Sequence, residues 1–93
     1  MTEKLFAEIA KERTRQDSLW GHVFDDKNTT NDWCSYFVKY AVYAAPLHKD
    51  DEFSRRNIVK LAALAVAALE AHDRNGSFPP RHYDSPSTSC EKP

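Results

Sequence analysis

The sequence predicts an all-α fold, a helical bundle of three main helices followed by a Pro/Ser-rich tail. Three observations carry this. Within residues 57–74, Ile58, Leu61, Ala62, Ala65, Leu69 and His72 recur three or four positions apart, the spacing of one helical stripe. A second periodic segment, 30–45, places Trp33, Phe37, Tyr40, Ala41 and Ala44 on one face. Gly21 and Gly76 are the only glycines, too few for a β-rich fold with many tight turns.

In chain order, Thr2 is placed to cap a first helix running to about Asp17. Leu5, Phe6, Ile9 and Ala10 form its narrow apolar face. Glu3, Lys4, Glu8, Lys11, Glu12, Arg13 and Arg15 fill the rest, as on an outer helix packed on one side. Lys4–Glu8, Glu8–Lys11 and Glu12–Arg15 are spaced to pair along it.

Residues 19–31 read as a connection, because Gly21 breaks them and Asp25, Asp26, Asn28, Thr29, Thr30 and Asn31 are turn and capping types. Trp20, Val23 and Phe24 are costly to expose, so this connection is expected to fold down with Trp20 as its anchor. The second helix starts at Thr30 or Asn31 and stops at Ala45 before Pro46. Tyr36 and Tyr43 adjoin its main face and Val38 and Val42 lie on another, so most of its surface is expected to be buried.

A short acidic linker, 47–52, feeds the central helix from about Phe53. Arg55 and Arg56 lie near its start, where the helix dipole disfavours cations, so a carboxylate partner such as Asp50 or Asp51 is expected. From Leu61 to Leu69 no residue is polar, so the helix calls for burial around nearly its whole circumference. Ala65→Asp is accordingly expected to abolish folding or assembly. Gly76 is the natural left-handed cap. The reading is one α-helical domain over 1–76 and an extended, partly disordered tail over 77–93, pinned at its start by Phe78 and Tyr83.

The totals exclude several functions. Net charge is -1, so no basic field draws nucleic acid or an anionic membrane. A nine-residue apolar run is far short of the roughly twenty that span a bilayer. Cys34 and Cys90 have neither zinc spacing nor a secretory context, and the chain reads as cytoplasmic with reduced thiols.

Three carboxylate pairs have spacing suited to a hard cation such as magnesium. Glu8 and Glu12 are one turn apart on the first helix. Glu70 and Asp73 share a face near the end of the central helix. Asp25 and Asp26, with His22 nearby, sit in the connection. Salt-bridged helix faces and Asx turns account for the same residues without a metal. His48 and His82 fall in linkers. No Ser/His/Asp or Cys/His arrangement is identifiable, and the catalytic residues are unknown.

Three stretches together carry a resemblance. They are Glu12-Arg13-Thr14-Arg15-Gln16 with Trp20-Gly21, then Asp25-Asp26, then Arg55-Arg56-Asn57-Ile58-Val59-Lys60 leading to Glu70-Ala71-His72-Asp73-Arg74. The chain resembles small phage and bacterial proteins patterned E-R-x-R-Q, H-D-D and R-R-N-L-V-K to D-R. Through more acidic relatives it is similar to all-α nucleotide pyrophosphohydrolases of the MazG type. That resemblance implies an oligomeric helical bundle cleaving nucleoside triphosphates with magnesium held by E-E-x-x-E and E-x-x-D helices. Where the first motif belongs, this sequence has Tyr36, Phe37, Lys39 and Tyr40. Where the second belongs, it has Asn57 and Lys60.

The expectation is a MazG-like pyrophosphohydrolase or a degenerate nucleotide-binding relative. Glu8, Glu12, Asp25, Asp26, Glu70 and Asp73 are its candidate metal ligands, and Arg13, Arg15 and Lys60 its candidate phosphate contacts. The alternative is a non-catalytic helical interaction module, of the kind a mobile element carries as an accessory. Three helices leave apolar surface uncovered, so a homo-oligomer is expected.

Overall fold

The computed structural model describes residues 1–45 and 50–80, and these are all-helical. The helices are α1 (Thr2–Leu19), α2 (Gly21–Lys27), α3 (Thr30–Ala44) and α4 (Asp51–Asn75). The bundle therefore has a fourth, short helix where the sequence reads as a connection. Gly21 does not break the chain there: its φ of 79° makes the sharp turn out of α1, and α2 starts on it.

Side-chain caps fix two of the helix starts. At α3 the Thr29 hydroxyl accepts from Asp32 N–H at 3.2 Å, and Asp32 accepts from Thr29 N–H at 3.0 Å, a reciprocal capping box. Asp50 caps α4 by accepting from Phe53 N–H at 2.9 Å, two residues earlier than the expected start. α1 begins after Met1 with no side-chain cap, so Thr2 is its first residue rather than its cap. Gly76, with φ 81°, ends α4 as expected and donates to His72 O at 2.7 Å.

α4 is the spine. α3, α1 and α2 all pack on it, α2 also touches α1, and α1 and α3 do not pack on each other. The core is Trp33 of α3 against Leu64, Ala67, Ala68 and Ala71 of α4, with Tyr36, Phe37, Tyr40 and Phe78 closing over it. The alanines let the bulky α3 rings approach closely, which concentrates burial on one arc of α4. Phe78 is held from outside the helices by His72, ring centroids 4.8 Å apart, as expected for the start of the tail.

That arc is not the predicted stripe. The α4 residues fully buried are Asn57, Ala63, Leu64, Ala67, Ala68 and Ala71, whereas Ile58 and Leu69 are 58% and 63% exposed and Ala65 is half-buried. α1, α2 and α3 cover only part of the circumference of a helix that is apolar all round, so one face stays open. α3 is likewise less buried than its composition suggests: only Trp33 is fully enclosed, and Val38, Val42 and Tyr43 are exposed. Cys34 is exposed and free. Pro46, His48, His82, Tyr83 and Cys90, with the readings placed on them, lie outside the described residues.

No helix among the described residues is long and apolar enough to cross a membrane.

Candidate functional site

The candidate metal ligands are not brought together; they are divided among guanidinium groups. Buried Arg13 is the hub. Its Nη2 donates to Asp25 Oδ2 at 3.2 Å and its Nε to Glu70 Oε1 at 3.0 Å, with Asp17 Oδ1 within ion-pair range at 3.8 Å. Arg13, singled out for phosphate, thus clamps α1 to α2 and α4. Glu70 pairs with this arginine rather than with Arg74.

The other acids follow the same rule. Arg55 donates to Glu8 through both Nη atoms at 2.6 and 2.8 Å, so its partner comes from α1, not from Asp50 or Asp51. That bidentate bond holds the Glu8 carboxyl below its usual range. Arg15 donates to Glu12 at 2.9 and 2.7 Å, as the spacing predicts, and Glu12 is likewise lowered. Asp26 accepts from Arg74 and from Asn75 and is lowered by both bonds. Asp73 alone of the six has no ion pair among the described residues; it borders a shallow depression with His22, Glu70 and Arg74. His22 is exposed, 3.6 Å from Asp17 Oδ1.

Among the described residues no three His, Cys, Asp or Glu side chains gather closely enough to hold a metal ion. The donor set does not fit magnesium, because a guanidinium already occupies five of the six carboxylates and a dication would have to displace it.

What the fold does assemble is an aromatic pocket that sequence reasoning assigned to core packing. Trp20, Phe24, Trp33, Tyr36, Tyr40 and Leu64 line it, with Asp25 and Lys39 as its charged members. Trp20 stacks on Phe24 with centroids 6.1 Å apart, and Phe24 on Tyr36 at 6.4 Å. Trp33 meets Tyr36 edge-on at 6.2 Å. Trp20 is therefore part of a wall rather than a plug, and it is 43% exposed. Lys39 lies 5.4 Å from the centre of the Tyr40 ring, steered by its π face.

The cavity is about 110 Å³, a little below the ~150 Å³ of engineered cavities that admit benzene. It holds one ring. Asp25 is its buried acid: burial pushes the carboxyl above its ordinary range, partly offset by Arg13 and reinforced by Asp17. Arg13 engages only Asp25 Oδ2, and Oδ1 has no hydrogen bond among the described residues.

A groove of the opposite character adjoins the pocket. Lys11, Arg15, Arg56, Lys60, Glu8, Glu12 and Val59 line it between α1 and α4, a surplus of two positive charges. Lys11, Arg56 and Lys60 have no carboxylate partner among the described residues; Arg56 instead lies over the Phe53 ring at 5.7 Å. Lys60 of the groove and Leu64 of the pocket are on successive turns of α4, about 6 Å apart along it. Gln16 packs this junction, donating to Glu12 Oε2 and to Lys60 O, both at 3.2 Å. Arg15 is raised above its ordinary value chiefly by Glu12, and Tyr40 at the pocket edge adds to that shift, so groove and pocket are within electrostatic reach.

Of the residues singled out for phosphate, Arg15 and Lys60 are in this groove. Lys11, Arg56 and the pocket aromatics were missed. Three free cations on two helices were not visible as a set from spacing along either helix alone.

No family model matches the chain, and comparison with the curated proteins and with the solved structures finds no match.

Proposed function

We propose that this protein is a nucleotide-binding module without hydrolytic turnover, the base entering the aromatic pocket and the phosphates lying along the adjoining groove. The observation that carries the reading is the adjacency of an aromatic pocket and a groove in which Lys11, Arg56 and Lys60 have no carboxylate partner among the described residues, one turn of α4 apart. Every nucleobase has a π face, and stacking on such walls is worth about 1–3 kcal/mol per base. Asp25 Oδ1, when ionised, accepts from an exocyclic amino group. Arg15, Lys11, Arg56 and Lys60 supply donors and charge for phosphate oxygens.

The same layout supports binding over cleavage. Tyr36, Phe37, Lys39, Tyr40, Asn57 and Lys60 stand where the acidic motifs of a MazG-type pyrophosphohydrolase would fall, and Glu8, Asp25, Asp26 and Glu70 serve as counter-ions that hold α1, α2 and α4 together.

The test uses the two tryptophans, Trp20 and Trp33, which are the only ones in the chain and both line the pocket. Their emission, excited at the red edge, is followed during titration with the four ribonucleoside monophosphates and triphosphates. Saturable quenching by an amino-bearing base, with no pyrophosphate released when magnesium is added, supports the reading. Flat titrations for every base contradict it, and magnesium-dependent pyrophosphate release would restore the enzyme.

A further inference from the structure

The open face of α4 is the surface the nucleotide reading leaves unused, and its residues follow a symmetric pattern. Ile58, Ala62, Ala65 and Leu69 lie along it at spacings of four, three and four. Turned end for end about the midpoint between Ala62 and Ala65, the pattern superposes on itself. Ile58 then falls on Leu69, Ala62 on Ala65, and Leu61 on Val66.

The two central alanines let a second helix approach, and the two large residues at the ends are more than half exposed with nothing against them. Leu5 and Ile9 of α1 extend the apolar surface beside Ile58, Val59 and Ala62.

Charges mark the ends of the same strip. Arg55 and Asp73 are 18 residues apart, about five turns, and so lie on one side of the face. In an antiparallel pair related by a two-fold axis, a residue meets a partner residue on the same side of the seam and at the mirrored height. Arg55 mirrored through the midpoint falls at the height of His72, one residue or about 1.5 Å from Asp73 along the axis. Arg55 of each chain gives one donor from each Nη to Glu8 and keeps three, and these meet Asp73 of the other chain, twice by symmetry. A parallel pair would instead set arginine beside arginine and aspartate beside aspartate.

We infer that the Ile58–Ala62–Ala65–Leu69 face of α4 is a self-complementary seam on which a second copy of this chain docks antiparallel. Charge complementarity as well as apolarity selects this occupant, because a facing helix that carries the same sequence in reverse brings Arg55 into register with Asp73. The seam lies on the side of α4 away from the pocket, so two copies keep both pockets open.

Sedimentation velocity and equilibrium across micromolar chain concentrations test this. The expected result is a dimer. Leu69→Glu yields a monomer with an unchanged far-ultraviolet circular dichroism spectrum. Asp73→Arg weakens the dimer roughly tenfold; Arg55→Glu, made in a Glu8→Gln background so that it creates no like-charge pair within the chain, does likewise, and adding Asp73→Arg there returns to within about threefold of the Glu8→Gln protein. Asp73→Arg is a clean probe, since Asp73 has no ion pair to lose among the described residues and a cation is favoured at a helix C-terminus. A monomeric wild type overturns the inference, as does a dimer indifferent to Leu69→Glu. Charge reversals that add instead of compensating overturn the antiparallel register.

Discussion

Arg13 and Asp25 are both buried, and the Arg13 guanidinium donates to Asp25 Oδ2 at 3.2 Å while its Nε reaches Glu70, 57 positions along the chain. One side chain thus joins three helices. Arg13→Leu strands Asp25 and Glu70 and is expected to cost about 3–5 kcal/mol, toward the lower end because Asp25 can take up a proton. Asp25→Asn leaves Arg13 its bond to Glu70 and is expected to cost only about 1–2 kcal/mol. Urea unfolding measures both, and the reverse order would contradict the hub role.

Acid should loosen the outer clasps. Glu8, Glu12 and Asp26 have carboxyls lowered by their arginines, so the stability they contribute is complete above the ordinary carboxylate range and is lost as pH falls through their folded values. Asp25 has the opposite sign. Burial raises it, so its contribution is present below the ordinary range and lost as pH rises through its folded value. Thermal melts between neutral pH and pH 3 should therefore fall with acid. The fall should be steeper in Asp25→Asn, which lacks the opposing gain. Equal slopes would argue against a raised Asp25.

The α3 start is expected to be sensitive. Thr29 is 1% exposed and its hydroxyl completes the capping box with Asp32. Thr29→Val keeps the volume and removes the acceptor, for a loss of about 1–2 kcal/mol in chemical denaturation. A loss within about 0.5 kcal/mol would mean that solvent substitutes for the cap.

Much of the fold was legible because helix period, caps and breakers are local. The 3.6-residue pattern placed α1, α3 and α4, Thr30 marked the start of α3, and Gly76 the end of α4. α2 was illegible: seven residues opened by glycine and rich in Asp carry turn signals, and tertiary packing on α4 overrides them. The buried arc of α4 was illegible for a different reason. A segment apolar all round has no phase to read, so the neighbours decide which arc they cover.

The site divides in the same way. Glu12–Arg15, three residues apart, could be read; Arg13–Glu70 and Glu8–Arg55, 57 and 47 apart, could not. Aromatics that looked like core proved to be half core and half pocket wall, a distinction set by where α2 ends the packing.

The two faces of α4 respond differently to added volume. Ala68 is 5% exposed against the α3 rings, so Ala68→Leu is expected to overpack the core and cost about 1–3 kcal/mol. Ala65 is half-buried on the open face, where Ala65→Asp should leave the chain folded and act on self-association, so of the two expected failures, folding or assembly, assembly is the one predicted. Circular dichroism of both variants decides the point; an unfolded Ala65→Asp chain would mean that this face is enclosed.

The central claim is that pocket and groove form one site, and calorimetric titration tests it most directly. Wild-type protein is titrated in parallel with a nucleoside, its triphosphate and inorganic tripolyphosphate, then Lys60→Ala with the triphosphate. The account predicts that the triphosphate binds more tightly than either fragment and that Lys60→Ala lowers its affinity toward that of the nucleoside. Equal affinity for nucleoside and triphosphate, or no heat with any of them, would contradict it.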